Sequence, residues 1–331
     1  MQHGAQLAVD QINARGGVRG RRLKLRLADD SANEDTAVRV AQALYDNPAV
    51  AAVVGHLTSD ASIDAAQVYS GGTHPVTMIS PSASSPDLSG ISPYVFRICP
   101  SDSSHGAALA RFAWQTLAAR RAGILFITDA YGRGVRKTFA TDFARLGGTV
   151  VEADPYVPTT RSVEPYLSRM RQVGVDVLVL AADRGGAELA LRQLRALGVH
   201  WPVIGGDALA GIETEGTLAE GMWISTAYLP DRAGEKNSAF VAQYARAYPG
   251  ERPDHRGASA YDIVNLLAQA ITAAGPSRRA VRDYIARVGR GIPAFDGVTG
   301  RIAFDDAGDV PSKGVLIAVV RGGRVVAEPG E

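Results

Sequence analysis

Cysteine is almost missing from this chain: Cys99 is the only one in 331 residues. A single thiol excludes an internal disulfide and any metal centre built on several thiolates. An excess of charge is missing too. With 35 Lys+Arg against 34 Asp+Glu, nothing steers the whole molecule toward nucleic acid or a membrane surface. No apolar run reaches the roughly 18 residues that span a bilayer. The sequence has no Walker lysine loop, no G-x-S-x-G elbow, no H-E-x-x-H and no glycine-rich dinucleotide fingerprint. His, Asp and Glu show no clustered ligand spacing, so neither a metal nor a cofactor is called for. Trp114, Trp201 and Trp223 are scattered and build no cage.

What the chain does have is length and alternation. A chain of this size usually divides its core between two domains. Its organising stretch is 50–86, VAAVVGHLTSDASIDAAQVYSGGTHPVTMISPSASSP. It reads as a strand (50–54), the loop GHLTSD, an Ala-rich helix, a second strand (75–79) and the loop SPSASS. Neither strand alternates with polar residues, as expected where helices cover both faces of a parallel sheet. Both strands deliver hydroxyl-rich loops to their carboxyl ends, the edge where open α/β sheets bind ligands. Thr58 or Ser59 can cap the helix, whose first N–H groups point at the same space. Such a cradle suits a small anionic group, most simply a carboxylate; ordinary capping beside a Ser/Pro turn accounts for the same residues.

Elsewhere, 23–28 (LKLRLA) reads as a strand and 33–46 as a helix. A strand at 94–98 leads into a helix over 102–117. Strands at 123–128, 150–154, 175–180, 202–204 and 221–225 then alternate with helices at 135–146, 163–173 and 187–197, which argues for a parallel sheet covered on both faces. After the irregular TAYLPDRAG come helices at 237–248, 258–274 and 278–288. Short strands at 301–304, 314–320 and 324–327 close the chain, the last two as a hairpin around Gly-Gly. The late helices must cover a sheet that the first hundred residues leave bare. The expectation is therefore an α/β protein of two Rossmann-like lobes, 1–101 with 229–312 and 102–228 with 313–331, facing each other across a ligand cleft. The opening MQHGAQLAVDQINARGG is already an amphipathic helix. A doubly wound lobe starts on a strand, so a first strand and a leader are expected upstream.

The strand ends nominate His56, Thr58, Ser59, Ser82, Ser84 and Ser85 on one wall and Asp129, Tyr131, Asp183, Arg184 and Asp207 on the other. Hydroxyls facing carboxylates and an aromatic suit a zwitterion. Each residue also has a plainer role open to it. Asp183 and Asp207 can be helix caps, Tyr131 can pack on its turn, His56 can be a structural hydrogen-bonding residue, and Asp102 and His105 can be helix-end residues. A serine hydrolase served by His56, His74 or His105 is a third-rank alternative.

An ordered series of segments carries a resemblance over nearly the whole chain. It comprises GAQLAVDQINARGG (4–17), VVGHLTSDAS (53–62), MISPSASSPDL (78–88), RICPSDSSHG (97–106), DAYGRG (129–134), RQLRALG (192–198), GGDAL (205–209), YDIVNLLAQAI (261–271) and FDGVTGRIAFDDAGD (295–309). Together they resemble the periplasmic solute-binding proteins for leucine, isoleucine, valine and related amino acids, which deliver to ABC importers. The resemblance implies a type I periplasmic-binding-protein fold with three crossovers, a non-enzymatic monomer in the periplasm or lipid-anchored at the cell surface, a free amino acid ligand and a membrane permease as partner. By position, Ser59 holds the ligand carboxylate, Ser82 offers a backbone contact and Ser84 a second hydroxyl, Tyr131 is the aromatic of the opposite lobe, and Asp207 takes the α-ammonium. Three departures stand out. Thr58 replaces a cysteine, Asp183 stands where branched-chain binders tend to present tyrosine, and no pocket aromatic is evident at 256–258. The ligand therefore stays open between a branched-chain and another small or polar amino acid. Cytoplasmic sensors of amino acids or amides share this fold and remain the main alternative role.

Overall fold

Glycine decides where several of the helices begin. A computed structural model describes residues 1–328. Three helices open on the same device, an Asp whose carboxylate accepts the N–H of a glycine three residues on: Asp129 from Gly132, Asp183 from Gly186 and Asp254 from Gly257. These helices start three to five residues before the positions expected from hydrophobic periodicity, which reads glycine as loop because it is a poor helix former. The Asp cap offsets that weakness. Close packing also requires the glycines: a Cβ on Gly132 would stand 2.0 Å from the Ile127 carbonyl, and one on Gly186 would stand 2.0 Å from the Tyr156 hydroxyl.

The chain divides into two compact units, Met1–Ser101 with Pro230–Lys313 and Asp102–Leu229 with Gly314–Glu331. It passes from one to the other three times. The first unit begins with α1 (Gln2–Ala14), α2 (Glu34–Tyr45), β1 (Ala52–Val54), α3 (Ser59–Ser70), β2 (Thr77–Ser80) and β3 (Val95–Arg97). The second unit takes over with α4 (Asp102–Gln115), β4 (Arg121–Ile127), α5 (Ala130–Arg145), β5 (Thr149–Tyr156), α6 (Glu164–Gln172), β6 (Val177–Ala181), α7 (Arg184–Ala196), β7 (Val203–Gly205) and β8 (Trp223–Thr226). The chain returns to the first unit for α8 (Glu235–Ala247), α9 (His255–Ala274), α10 (Arg278–Ile285), β9 (Phe295–Gly297) and β10 (Gly300–Ile302), and ends in the second with β11 (Leu316–Arg321) and β12 (Arg324–Ala327).

In the first unit β1-β2-β3 form a parallel sheet and β9 pairs antiparallel with β10. The second unit holds a seven-stranded sheet in the order β12-β11-β8-β7-β6-β4-β5. It is parallel from β8 to β5 and antiparallel where β11 joins β8 and β12. Strand β6 is buried along its whole length, as a strand covered on both faces must be. The C-terminal hairpin turns through Gly322 and Gly323, both at positive φ.

Two sequence expectations are corrected. Residues 23–28 form no strand and join no sheet among the described residues. The backbone of Leu23 is bonded at both ends by the Asn13 side chain, its N–H at 2.8 Å and its carbonyl at 3.0 Å, instead of by a neighbouring strand. Strand β9 was not anticipated, because FDG has neither length nor β-branched residues to announce it.

Candidate functional site

The hydroxyl loops of the first unit meet at the carboxyl ends of β1 and β2. Ser59 opens α3 and is buried. Its Oγ accepts the Ser85 N–H at 3.2 Å, which ties the loop after β1 to the loop after β2. Thr58 occupies the N-cap position without a side-chain cap bond. Ser80 braces the second loop: its hydroxyl donates to the His56 carbonyl (2.7 Å) and accepts the N–H groups of Ser82 (3.3 Å) and Ala83 (2.9 Å). Ser82 is half-buried and Ser84 buried in that turn. His56 is engaged on both ring nitrogens, with Asp30 at 2.6 Å and Tyr69 Oη at 3.2 Å. Burial and then the Asp30 charge push the Tyr69 phenol above its ordinary range, so it stays neutral. The structure thus gives His56 the plain structural role open to it in the sequence.

In the second unit, β4, β6 and β7 deliver their carboxyl ends to one edge. Tyr131, in the first turn of α5, and Asp207, just past β7, are brought together there. Both are buried, at 7% and 4% exposure. The Ala208 N–H reaches the Tyr131 hydroxyl at 3.4 Å, and a Cβ on Gly206 would stand 2.0 Å from that hydroxyl. Burial, followed by the charges of Asp207 and Asp102, pushes the Tyr131 phenol well above its usual range. It is therefore a neutral hydroxyl beside a buried carboxylate. Such a carboxylate is costly unless a cation or hydrogen bonds offset it.

Asp183 has other engagements. Its Oδ1 caps α7 through the Gly186 N–H (2.9 Å) and accepts the Tyr156 hydroxyl (2.7 Å), which in turn accepts the Asp183 N–H (3.2 Å). Strand β5 runs two residues beyond its expected end, and that extension places Tyr156 on Asp183.

Sequence reasoning passed over Ser225 and gave His105 only the roles of a helix-end residue or a third-rank hydrolase base. His105 is fully buried, with Nδ1 at 2.9 Å from Ser225 Oγ and Nε2 at 3.6 Å from Asp207 Oδ2. The available signal was helical spacing: His105 lies at i, i+4 and i+7 with Leu109 and Phe112 on the buried face of α4. Ser225, His105 and Asp207 have the connectivity of a hydrolytic triad, but Ser225 is fully buried in β8 and presents no accessible nucleophile. Among the described residues no group of three or more His, Cys, Asp or Glu is placed to hold a metal, and no helix is long and apolar enough to cross a membrane.

Parallel sheets with polar loops at their carboxyl ends, split over two units by three chain crossings, define the class of two-lobed solute binders. The chain belongs to the periplasmic binding protein family, whose sequence profile matches residues 1–324. The Leu/Ile/Val-binding protein BraC3 of Rhizobium johnstonii is 29% identical, over 99% of this chain and 88% of that protein. The ABC transporter substrate-binding protein of Desulfitobacterium hafniense, solved in complex with Leu, is 30% identical with a TM-score of 0.85, covering 99% of this chain and 95% of the other. The leucine binding protein LivK of Thermotoga maritima has a TM-score of 0.88 at 27% identity, covering 99% and 92%. The fold is that of the type I periplasmic binding proteins, and the family is one of extracytoplasmic solute binders.

Proposed function

We propose that this protein captures an α-amino acid in the periplasm, or anchored by lipid at the cell surface, and passes it to the permease of an ABC importer without chemistry of its own. The observation that carries the reading is the buried Asp207 beside the neutral Tyr131 hydroxyl at the strand ends of the second unit. An α-ammonium suits a carboxylate set beside such a hydroxyl. The matching groups for the carboxylate are the Ser59 hydroxyl, the Ser82 backbone and the Ser84 hydroxyl in the first unit, at the start of α3 where the helix dipole favours an anion. The relatives solved or named with leucine, isoleucine or valine support an aliphatic ligand. The capping role of Asp183 supports it as well, because a carboxylate engaged by α7 and Tyr156 is not needed for a polar ligand side chain. The protein acts as a monomer.

A calorimetric panel of the common amino acids tests the proposal. Leucine, isoleucine or valine should rank first and glutamate and aspartate last, and Asp207→Asn should weaken the best binder. A panel in which no amino acid binds overturns the reading.

A further inference from the structure

The largest fully buried side chain among the described residues is a charged one, Arg97, the last residue of β3, at 1% exposure. Its neighbours Phe96 and Ile98 join the apolar cluster of α9 and α10, and Val95 joins that of α2 and α3. An apolar side chain would fill position 97 without the cost of drying a guanidinium. Packing alone therefore does not account for it.

The guanidinium faces two ways. Toward the turn at 305–309 it meets Asp309 as a fork, Nε 2.7 Å from Oδ1 and Nη2 2.8 Å from Oδ2, and Nη2 also donates to Ser89 Oγ at 2.6 Å. Toward the loop after β2, Nη1 donates to the Ser85 carbonyl at 2.7 Å and, at a longer 3.4 Å, to the Ala83 carbonyl. A guanidinium only donates and a carbonyl only accepts, so the direction of these contacts is fixed.

The two carbonyls flank Ser84. In a planar trans peptide the carbonyl and the N–H point opposite ways, so an Ala83 oxygen turned to Arg97 turns the Ser84 N–H away from it. The other N–H groups of this turn are taken: Ser80 Oγ accepts those of Ser82 and Ala83, and Ser59 Oγ accepts that of Ser85. Ser84 is 1% exposed, and among the described residues neither its N–H nor its hydroxyl has a partner. Buried donors are rarely left so. Two of them on one residue suit an acceptor from outside the chain, such as a carboxylate.

We propose that Arg97 is the positioning residue of the carboxylate cradle: from the interior of the first unit it holds the Ala83 and Ser85 carbonyls and so aims the Ser84 N–H at the ligand. The inference rests on the reading of the hydroxyl loops as the seat of an amino acid carboxylate. Asp309 and Ser89 act on that seat through Arg97, since they hold the guanidinium itself. The fork matters more than the charge. A lysine brings the same charge on a single nitrogen, which cannot face both Asp309 oxygens and both carbonyls together.

The test titrates L-leucine calorimetrically into wild type, Arg97→Lys and Asp309→Asn, and follows the Ser84 amide by NMR of nitrogen-labelled protein. Urea denaturation of each variant fixes a temperature at which all are folded, so that lost stability is not read as lost binding. In wild type the Ser84 amide proton should move downfield on saturation, as a new bond to a carboxylate requires. Arg97→Lys should weaken leucine by about tenfold and lose most of that shift. Asp309→Asn, which keeps the guanidinium and loosens the fork, should weaken it by about threefold. Unchanged affinity in both variants overturns the proposal. So does a weakened affinity with the full Ser84 shift, because Arg97 would then serve the fold alone. Should Arg97→Lys not fold, Asp309→Asn and Ser89→Ala decide by the same two readouts. A wild type that binds leucine while the Ser84 amide stays still removes this loop from the site, and the cradle reading fails instead. Absence of binding to leucine or any other common amino acid overturns both.

Discussion

A hydroxyl that accepts one backbone N–H still has its proton to give, and this is the state of Ser59. Its Oγ takes the Ser85 N–H, and the proposed site calls on its O–H for the ligand carboxylate. Ser59→Ala should weaken amino acid binding by about 1–3 kcal/mol, because a charge-assisted bond to a desolvated carboxylate is lost. Calorimetry with the best ligand measures it, and an unchanged affinity removes Ser59 from the site. Asp183 makes the opposite case. Its carboxylate caps α7 and holds Tyr156, so Asp183→Ala should lower stability by roughly 1 kcal/mol while leaving the order of preferred amino acids intact. Asp183→Asn, which keeps a capping oxygen, should lose less. A loss of discrimination against glutamate in either variant would instead place Asp183 against the ligand. The sequence put Asp183 at a strand end and left cap or ligand contact open; the structure shows the cap on the Gly186 N–H and adds the Tyr156 hydroxyl, from a residue 27 positions away whose approach no local pattern announces.

At the scale of elements, α1 and α9 pack where two glycines meet. A Cβ on Gly4 would stand 1.9 Å from the Gly257 carbonyl. Replacing glycine by alanine within a helix normally gains about 1 kcal/mol. Here the clash outweighs that gain, and Gly4→Ala should destabilise the protein by about 1–3 kcal/mol, seen as a lower urea midpoint. A second element-level contact joins α9 to the last residue of the first unit through Thr299. Lys313 donates to Thr299 Oγ1 at 2.7 Å, and that hydroxyl donates to Asp262 Oδ2 at 2.6 Å. Burial brings the Lys313 ammonium down to about 8, against the opposing pull of Asp262. Below that pH both folded and unfolded chains hold the proton, and the cost of burying it is fully present. Between about 8 and the ordinary lysine value of 10.5 the unfolded chain binds more protons, so stability should rise with pH. Denaturation of wild type against Lys313→Met across that window isolates the effect from the tyrosines, and parallel curves would show that Lys313 does not titrate there.

For the molecule as a whole, a bound amino acid must stabilise the segments that it touches. Amides of residues 55–59 and 80–85 in the first unit and of 129–132 and 206–208 in the second should gain hydrogen-exchange protection together when leucine is added. At a hundred times Kd the gain in stability should be about 2.7 kcal/mol. Protection confined to one unit would mean that the other contributes nothing to binding.

The sequence by itself determined the alternating α/β plan, the hydroxyl loops after β1 and β2, and the carboxylate after β7. All of these follow from local signals, since apolar runs, turn residues and cap residues act within a few positions. The late helices, which had to cover the first sheet, implied the three crossings, and the ordered series of family segments added the membership. Only the tertiary structure decided that α5, α7 and α9 start on Asp–Gly caps, that Leu23 is bonded by Asn13 instead of a strand, that Asp183 also holds Tyr156, and that His105 lies between Ser225 and Asp207. The caps are local pairs three residues apart, which glycine's weak helix propensity hides from a reading of periodicity. The other three are choices among partners that a polar group could satisfy equally well in sequence terms, settled by which more distant backbone or side chain the packed core brings within reach.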